Sequence, residues 1–186
     1  VLEPIGLRVI GLDELETVPE EPEEDGVTFE ANARIKAIAY AGATGRVSLA
    51  DDSGLEVDAL GGEPGVRSAR WSGVEGEREV RDAANNRKLV ESLRAVPEAD
   101  RAARFVCAMC LAAPDGTVLA ETRGTFDGIV TLEPRGVNGF GYDPYLLLPG
   151  EGRTSAELSP AEKNARSHRG VATRAMAPLI EALERS

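Results

Sequence analysis

Segments in which apolar residues recur at helical spacing alternate along the chain with short apolar runs bounded by polar turns. Helical spacing predicts helices over residues 29–43, 77–95 and 171–183. In the first of these, Thr28 is a suitable N-cap, and small residues form a narrow stripe that permits close packing on a sheet: Ala33, Ala37 and Ala41. The opening residues suggest a helix tail that closes at Gly6 and a short strand through Ile10.

Two apolar runs, residues 104–113 and 117–130, flank the turn Pro114-Asp115-Gly116 and predict an antiparallel hairpin. Because strand–helix alternation elsewhere favours parallel pairing, the sheet is predicted to be mixed. Cys107 and Cys110 form a C-x-x-C within the first strand, where residues three apart point to opposite faces. The sequence has only two cysteines, so core packing is preferred to redox or zinc chemistry.

Another apolar run, residues 47–50, ends in two adjacent acids, Asp51 and Asp52, which are followed by Ser53 and Gly54. We predict that this strand ends at the acids and that the chain turns sharply at Gly54. Carboxylates at the carboxyl end of a strand suit Mg²⁺, which takes one or two carboxylates together with substrate phosphates. A turn without any metal is the alternative, because Asp, Ser and Gly all favour turns.

The glycine-rich stretch 136–144 is predicted to be a loop in which the backbone approaches a ligand closely. Phe140 and Tyr142 offer flat surfaces on which a base could stack. Asp143 could hydrogen-bond that base or a metal-bound water. A turn before the next strand, with the aromatic residues as its lid, is the alternative interpretation.

A capping box with proline at the first helical position, residues 159–162, predicts that a further helix begins there. We predict that Gly170 breaks this helix and turns His168 and Arg169 back toward Lys163. The single histidine therefore lies in the densest basic cluster of the sequence.

Composition indicates one soluble globular domain over residues 1–186, and nothing in it resembles a transmembrane span or a signal peptide. A cytoplasmic location is the resulting expectation. The 32 acidic and 21 basic residues give a net charge of −11, which argues against charge-driven binding to nucleic acid or to an anionic membrane. An anionic ligand would need local cations and a metal, screened from the remaining charge.

Four stretches in sequence order resemble the inosine triphosphate pyrophosphatase family, the XTP/dITP diphosphatases. They are T-F-E-A-N-A-R-I-K-A from Thr28, L-A-D-D-S-G-L-E-V-D-A-L-G-G-E-P-G-V-R-S-A-R-W-S-G from Leu49, G-F-G-Y-D-P from Gly139 and L-S-P-A-E-K-N-A-R-S-H-R-G from Leu158. The resemblance implies an α/β fold in which an elongated mixed β-sheet is flanked by helices, in two lobes with a central cleft. It also implies a homodimer that hydrolyses inosine, deoxyinosine and xanthosine triphosphates to the monophosphate and pyrophosphate with Mg²⁺, cleansing the nucleotide pool.

Carried over residue by residue, the resemblance makes Asp52 a metal ligand and general base, and Glu24 a further metal ligand. It makes Lys36 a phosphate contact and Ser53 a substrate contact. The remaining matches form the base pocket or grip the base and the phosphates: Phe140, Gly141, Tyr142, Asp143, Lys163, His168 and Arg169.

The sequence departs from the family pattern in two places. The family's opening strand and its S/T-x-N-x-x-K phosphate loop have no counterpart ahead of Val1, and Ala31 replaces a Glu that would complete a capping box on Thr28. These departures leave open an alternative, a nucleotide-binding but catalytically impaired homodimeric remnant. A changed base preference is a further alternative, because Trp71 stands where relatives usually have Tyr.

Overall fold

The structure, a computed structural model, describes residues 8–184, in which helices and strands alternate. The elements are α1 (Phe29–Thr44), β1 (Ser48–Val57), α2 (Arg78–Leu93), β2 (Ala102–Ala112), β3 (Val118–Val130), β4 (Leu146–Leu147), α3 (Pro160–Arg166) and α4 (His168–Glu184). The helix tail predicted up to Gly6 lies outside the described residues, and residues 8–10 are irregular rather than a strand. None of the helices within residues 8–184 has the length and apolarity needed to cross a membrane.

The four strands form one antiparallel sheet in the order β1-β2-β3-β4. At its end, Ile129 pairs with Leu147 and Val130 pairs with Leu146. The predicted α/β class, a sheet flanked by helices, is confirmed. A parallel strand, which a mixed sheet requires, does not occur between residues 8 and 184. The connection from β1 to β2 contains α2, but it also contains enough irregular chain to bring β2 back in the opposite direction.

The chain divides into two compact units, and β1, β2 and β3 contribute residues to both. The first unit comprises the residues up to Asp52, Cys107–Gly124 and the residues from Arg169 onward. Its α1 buries the predicted alanine stripe completely, and its α4 packs apolar side chains against the strands: Ala172, Met176 and Ile180. The second unit comprises Ser53–Val106 and Thr125–His168. That residues 1–186 act as one domain remains a prediction.

The second unit has its own apolar core, in which α2 contributes Leu89 and Leu93 and β1 contributes Leu55 and Val57. Each of these four side chains is at most 1% exposed. At roughly 25 cal/mol per Å² of buried apolar surface, a fully buried Leu or Val contributes about 1.5–3 kcal/mol relative to an exposed one. This core fixes the strand and helix that carry part of the candidate site.

The strand β1 does not end at Asp51 and Asp52, so the predicted turn at Gly54 is wrong. The chain stays extended through Val57, and Gly54 is a buried strand residue. Burial of Leu55 and Val57 explains the difference, because sheet packing outweighs the local turn preference of Asp, Ser and Gly. Both acids therefore lie in the middle of a strand.

The break between α3 and α4 lies at Ser167, whereas Gly170 was predicted to break the helix. Ser167 is extended, with φ −61° and ψ 157°, and it occupies the position before α4, where serine is a favoured N-cap. Gly170 lies within α4. His168 and Arg169 thus begin a new helix.

Cys107 and Cys110 do not form a disulfide and are both fully buried in β2, which confirms the prediction that they pack in the core. Cys107 packs with apolar residues of α4. Burial raises the pKa of the Cys110 thiol to about 11, so this thiol is neutral at physiological pH.

Candidate active site

In the first unit, Lys36 lies between two carboxylates. Its Nζ is 3.1 Å from a carboxylate oxygen of Glu24 and 3.2 Å from one of Asp52. The three side chains are mostly buried, with exposed fractions of 14%, 18% and 12% for Lys36, Glu24 and Asp52. Lys36 comes from α1, Asp52 from β1 and Glu24 from the loop before α1. The structure therefore brings together three residues that were predicted separately.

Asn32, which the site prediction did not include, completes this group. It is fully buried one helical turn before Lys36, and its Nδ2 donates to Asp52 at 3.2 Å. Its Oδ1 accepts from the N–H of Gly26 at 2.9 Å, which ties the acidic loop to α1. A Cβ on Gly26 would lie 2.4 Å from that oxygen, so only glycine fits there. We call Glu24, Asn32, Lys36 and Asp52 the Lys36 cluster.

The Lys36 cluster holds two acids and one base in a partly desolvated position. Burial raises the pKa of Asp52, and neither the charge of Lys36 nor the Asn32 hydrogen bond fully offsets that effect. Burial alone would lower the pKa of Lys36, but the charge of Asp52 and the hydrogen bond to Glu24 outweigh it and raise the pKa. Lys36 therefore stays protonated, and a surplus of negative charge remains that a cation could offset.

The donor set of the Lys36 cluster suits a hard divalent cation such as Mg²⁺. Groups of three or more His, Cys, Asp or Glu side chains suited to a metal do not occur between residues 8 and 184. Structural zinc sites need four N or S ligands, and calcium sites need six to eight oxygens. Mg²⁺ needs only one or two carboxylates when waters and phosphates complete its coordination. Glu24 and Asp52 can supply these two.

Asp51 points away from Asp52, because successive side chains of a strand lie on opposite faces. It pairs with Arg169 of α4 instead, with 3.0 Å between Arg169 Nε and the Asp51 carboxylate. The same oxygen lies 3.8 Å from the sulfur of Cys107. Asp51 therefore orients Arg169, which was predicted to bind the substrate. The sequence had suggested no such role for Asp51.

Two other predicted residues lie at the unit boundaries. Ser53 is partly buried in β1, and strand alternation places its side chain on the opposite face from Asp52. His168, the first residue of α4, is 7% exposed, and its ring stacks on Phe105 with a centroid distance of 5.1 Å. The imidazole is thus held in a fixed orientation by packing within the second unit.

In the second unit, Asp143 is the centre of a buried polar network. It is 3% exposed, and its two carboxylate oxygens accept hydrogen bonds from Ser155 Oγ at 2.8 Å, the Phe140 N–H at 2.8 Å and Lys163 Nζ at 2.5 Å. Gly139 packs so closely that a Cβ would lie 2.1 Å from this carboxylate. Asp143 therefore positions Lys163 and the loop. This structural role of Asp143, and the contribution of Ser155 to it, were not predicted from the sequence.

The two aromatic residues of this loop differ in exposure. Phe140 is 50% exposed, whereas Tyr142 is 6% exposed and belongs to the core of the second unit. The Tyr142 hydroxyl donates to the carbonyl of Ser68 at 2.9 Å, and burial raises the pKa of Tyr142. Tyr142 thus offers no open ring surface, which corrects the expectation of two stacking surfaces. Trp71 is likewise a core residue, 7% exposed.

Helix α2 contributes three residues that sequence reasoning missed. The Arg78 guanidinium lies 4.0 Å from the centre of the Phe140 ring, and Asp82 and Asn86 hydrogen-bond the backbone of Gly141. The signal in the sequence is their spacing, because positions four apart share one face of a helix. These positions form a polar stripe separate from the apolar face of α2, which is the pattern expected of a second contact surface.

The chain is similar to known proteins over nearly its whole length. A family model described as the Ham1 family matches residues 1–179. A dITP/XTP pyrophosphatase from Nitratidesulfovibrio vulgaris is 52% identical over 183 residues, which cover 97% of this chain and 87% of that protein. Another protein of that name, from Nocardia farcinica, is 49% identical over 178 residues, covering 96% of this chain and 84% of the relative.

Solved structures agree with these sequence matches. The Ham1 protein of Staphylococcus aureus superimposes with a TM-score of 0.82 at 41% identity, covering 94% of this chain and 87% of that one. A nucleoside-triphosphatase, also described as a dITP/XTP pyrophosphatase, from Mycobacterium abscessus gives a TM-score of 0.76 at 44% identity, covering 96% and 90%. The resemblance drawn from the four sequence stretches is thereby confirmed.

Proposed function

Because the chain belongs to the Ham1 family, we propose that it hydrolyses inosine, deoxyinosine and xanthosine triphosphates to the corresponding monophosphate and pyrophosphate. Relatives named dITP/XTP pyrophosphatase share about half of its residues over nearly its whole length. The observation that carries the proposal is the Lys36 cluster, where an acid-rich, partly buried site retains a protonated lysine. Such a site suits a metal-bound polyphosphate.

Within this proposal, Glu24 and Asp52 hold Mg²⁺, which when bound neutralises charge on the phosphate oxygens. Lys36 contributes a fixed positive charge next to the same carboxylates and binds phosphate oxygens as negative charge develops on them. Asp52 accepts a proton from the attacking water, and Asn32 keeps its carboxylate oriented. Ser53 is proposed to contact the substrate through its backbone, since strand alternation places its side chain on the opposite face from Asp52.

The second unit is proposed to recognise the base, with Phe140 as a stacking surface and Lys163 as a charged donor. Gly141 and Tyr142 shape the pocket through the conformation of the loop, and Asp143 positions Lys163. Hypoxanthine and xanthine carry a carbonyl where adenine carries an amino group, so donors favour them. His168 and Arg169 are the other proposed donors to base and phosphates, and Arg169 is oriented by Asp51.

We further propose that the protein acts as a cytoplasmic homodimer that removes noncanonical nucleotides from the pool. The family resemblance supports the dimer. Light scattering on the purified protein should give twice the mass of one chain at micromolar concentration. The mass of a single chain would contradict the dimer without affecting the proposed reaction.

The alternative of a catalytically impaired remnant is favoured by none of the similarities to known proteins. The chain retains Glu24, Lys36 and Asp52, and the fold brings all three together. An intact cluster of this kind is expected to support turnover.

The decisive experiment measures pyrophosphate release from ITP, XTP, ATP and dTTP in the presence of Mg²⁺. We expect rapid release from ITP and XTP, slow release from ATP and dTTP, and loss of activity when EDTA removes the metal. Asp52→Asn should lower kcat by about 10²–10⁴-fold because the general base is lost. Asp127→Asn is the matched control, since that side chain is 74% exposed, and it should retain wild-type activity.

Two outcomes would contradict the proposal. Pyrophosphate release from ITP no greater than that of Asp52→Asn would remove the enzyme assignment. Equal turnover of ATP and ITP would remove the preference for hypoxanthine and xanthine and favour a changed base preference.

A further inference from the structure

We infer that Asp82 and Asn86 of α2 are positioning residues that fix residues 139–142 and thereby set base selectivity, an inference that rests on the proposed function. Neither side chain is proposed to touch the substrate. Their effect is transmitted through the backbone of Gly141 to the neighbouring Phe140.

The two side chains bind both polar backbone groups of one residue. The N–H of Gly141 donates to Asp82 Oδ2 at 3.0 Å, and Asn86 Nδ2 donates to the carbonyl oxygen of Gly141 at 3.0 Å. Asp82 and Asn86 are four residues apart on a continuous helix, so their spacing is fixed by α2. The peptide groups on either side of Gly141 are therefore held by a rigid element.

This loop needs such support because of its glycines. Gly139 and Gly141 have φ of 79° and 58°, in the left-handed region that glycine adopts without steric cost. Glycine also has more conformational freedom than any other residue, so hydrogen bonds must select one conformation of the loop. Asp143 supplies one of them through the Phe140 N–H, and α2 supplies the two at Gly141.

Phe140 is the side chain that this arrangement orients. Its ring is half exposed and lies 4.0 Å from the Arg78 guanidinium and 5.5 Å from Lys163 Nζ. Asp82 also lies 3.8 Å from Arg78 Nε, so the same carboxylate that binds Gly141 helps to orient the cation over the ring. A change at Asp82 is expected to affect both the backbone and the ring.

Packing of the apolar face of α2 does not explain why these polar residues are present. The helix packs through a different set of buried residues: Ala84, Asn85, Leu89 and Leu93. Asp82 and Asn86 are only partly buried, and their contacts to residues 139–142 span 59 and 55 positions of sequence. Their contribution is therefore to the loop, where small displacements change how a substrate fits.

The test compares Asp82→Ala and Asn86→Ala with wild type for ITP and ATP hydrolysis. Each variant should raise KM for ITP by about tenfold and lower the ratio of kcat/KM for ITP over ATP, while kcat changes less than about twofold. Asp82→Asn keeps an oxygen that can accept from Gly141, so it should recover most of the lost affinity. Glu79→Gln, which neutralises an exposed acid of the same helix, should behave as wild type.

A second measurement needs no substrate and separates this inference from the proposed function. Hydrogen exchange of the peptide covering residues 137–145 should be at least about tenfold faster in Asp82→Ala than in wild type, with exchange in β2 unchanged. Unchanged exchange in this peptide would overturn the inference even if ITP is hydrolysed. A wild-type protein that releases no pyrophosphate would instead refute the proposed function and the selectivity role, although the loop contacts could still be measured. Unchanged KM and selectivity in both alanine variants would also overturn the inference.

Discussion

Burial and neighbouring charges together determine the protonation state of Lys36. Its side chain is 14% exposed, and burial alone would lower its pKa, yet two carboxylates at 3.1 and 3.2 Å raise the pKa. A surface lysine of an amphipathic helix would show neither feature. The side chain is therefore a fixed cation held between two carboxylates.

Replacing Lys36 with methionine tests this assignment. Lys36→Met keeps much of the side-chain volume but removes the charge, so kcat/KM for ITP should fall by about 10²-fold or more. Arg34→Met on the same helix is the control, because Arg34 pairs with Glu121 at the surface with half of its side chain exposed. Steady-state pyrophosphate release, with thermal melts to confirm folding, measures both. An active Lys36→Met variant within twofold of wild type would remove Lys36 from the site.

The buried cysteines should affect stability and not catalysis. Cys110→Ser places a hydroxyl in an apolar, fully buried position, which should lower the free energy of unfolding by about 1–3 kcal/mol. Cys110→Ala introduces no polar group and should lower the free energy of unfolding by a smaller amount. Urea titrations measure the difference, and ITP hydrolysis should stay unchanged at temperatures where both variants are folded. Bound zinc in the purified protein, or activity that depends on added zinc, would contradict this interpretation.

At the scale of secondary structure, capping residues located the starts of α1 and α3, whereas glycine residues were poor predictors of where regular structure is interrupted. Thr28 and Ser159 cap α1 and α3 as predicted, each accepting a hydrogen bond from the third residue of its helix. Gly54 and Gly170 were expected to break regular structure, and both lie within it. A cap is a local contact between residues three apart, whereas the extent of β1 depends on how well its later residues pack in a core.

The cap of α1 gives a prediction about helix stability. Thr28→Ala removes the acceptor for the Ala31 N–H and should lower the free energy of unfolding by about 1 kcal/mol. Ala31→Glu should raise it by about 0.3–1.5 kcal/mol, because a carboxylate at that position can accept from the Thr28 N–H. Ala39→Glu, an exposed position later in α1, adds the same charge without a cap and serves as control. A destabilised Ala31→Glu alongside an unaffected Ala39→Glu would show that no capping box forms.

At the scale of the whole molecule, the net charge of −11 is partly organised into surface ion pairs. Arg153 bridges Glu151 and Glu162 at 3.0 and 3.1 Å, and Arg166 bonds Glu151 from the other side. The backbone N–H of Ser159 and the nearby Arg153 lower the pKa of Glu162 to about 2. The pKa values of Glu151 and Glu157 are lowered as well.

These lowered pKa values determine how stability depends on pH. Since the folded-state pKa of Glu162 lies below its ordinary value of 4.5, the unfolded chain binds more protons between the two values. The stabilisation is therefore present above pH 4.5 and is lost as pH falls toward 2. Asp52 acts in the opposite direction, because burial raises its pKa and its protonation favours the folded state.

The urea midpoint should therefore be nearly constant from pH 7 to about 5 and should decrease steadily below that. Glu162→Gln should reduce the slope of this decrease, since one of the responsible groups is gone. Asp127→Asn is the control, because the Asp127 side chain is exposed and its removal should change the electrostatic stabilisation little. A midpoint that rises as the pH drops below 4.5 would show that groups such as Asp52 outweigh the surface carboxylates.

The sequence by itself determined the starts of α1 and α3, the hairpin, the buried cysteines and the family. These follow from short-range spacing, capping chemistry and side-chain volume, all of which are present in the linear order of residues. It also supplied Glu24, Lys36 and Asp52 as separate candidates. Their roles at that stage came from resemblance and not from any contact visible in the sequence.

Only the tertiary structure decided which groups share a site. Glu24 and Asp52 both contact Lys36, and α2 hydrogen-bonds the backbone of Gly141. Tyr142 is buried in the core of the second unit. Each of these contacts involves residues that are distant in sequence. Local propensities contain no information about such contacts, because the partners become neighbours only after the strands pair and the helices bury their apolar faces. For the same reason β1 continues past its two acids: the packing of the residues beyond them outweighs a turn signal that is strong only locally.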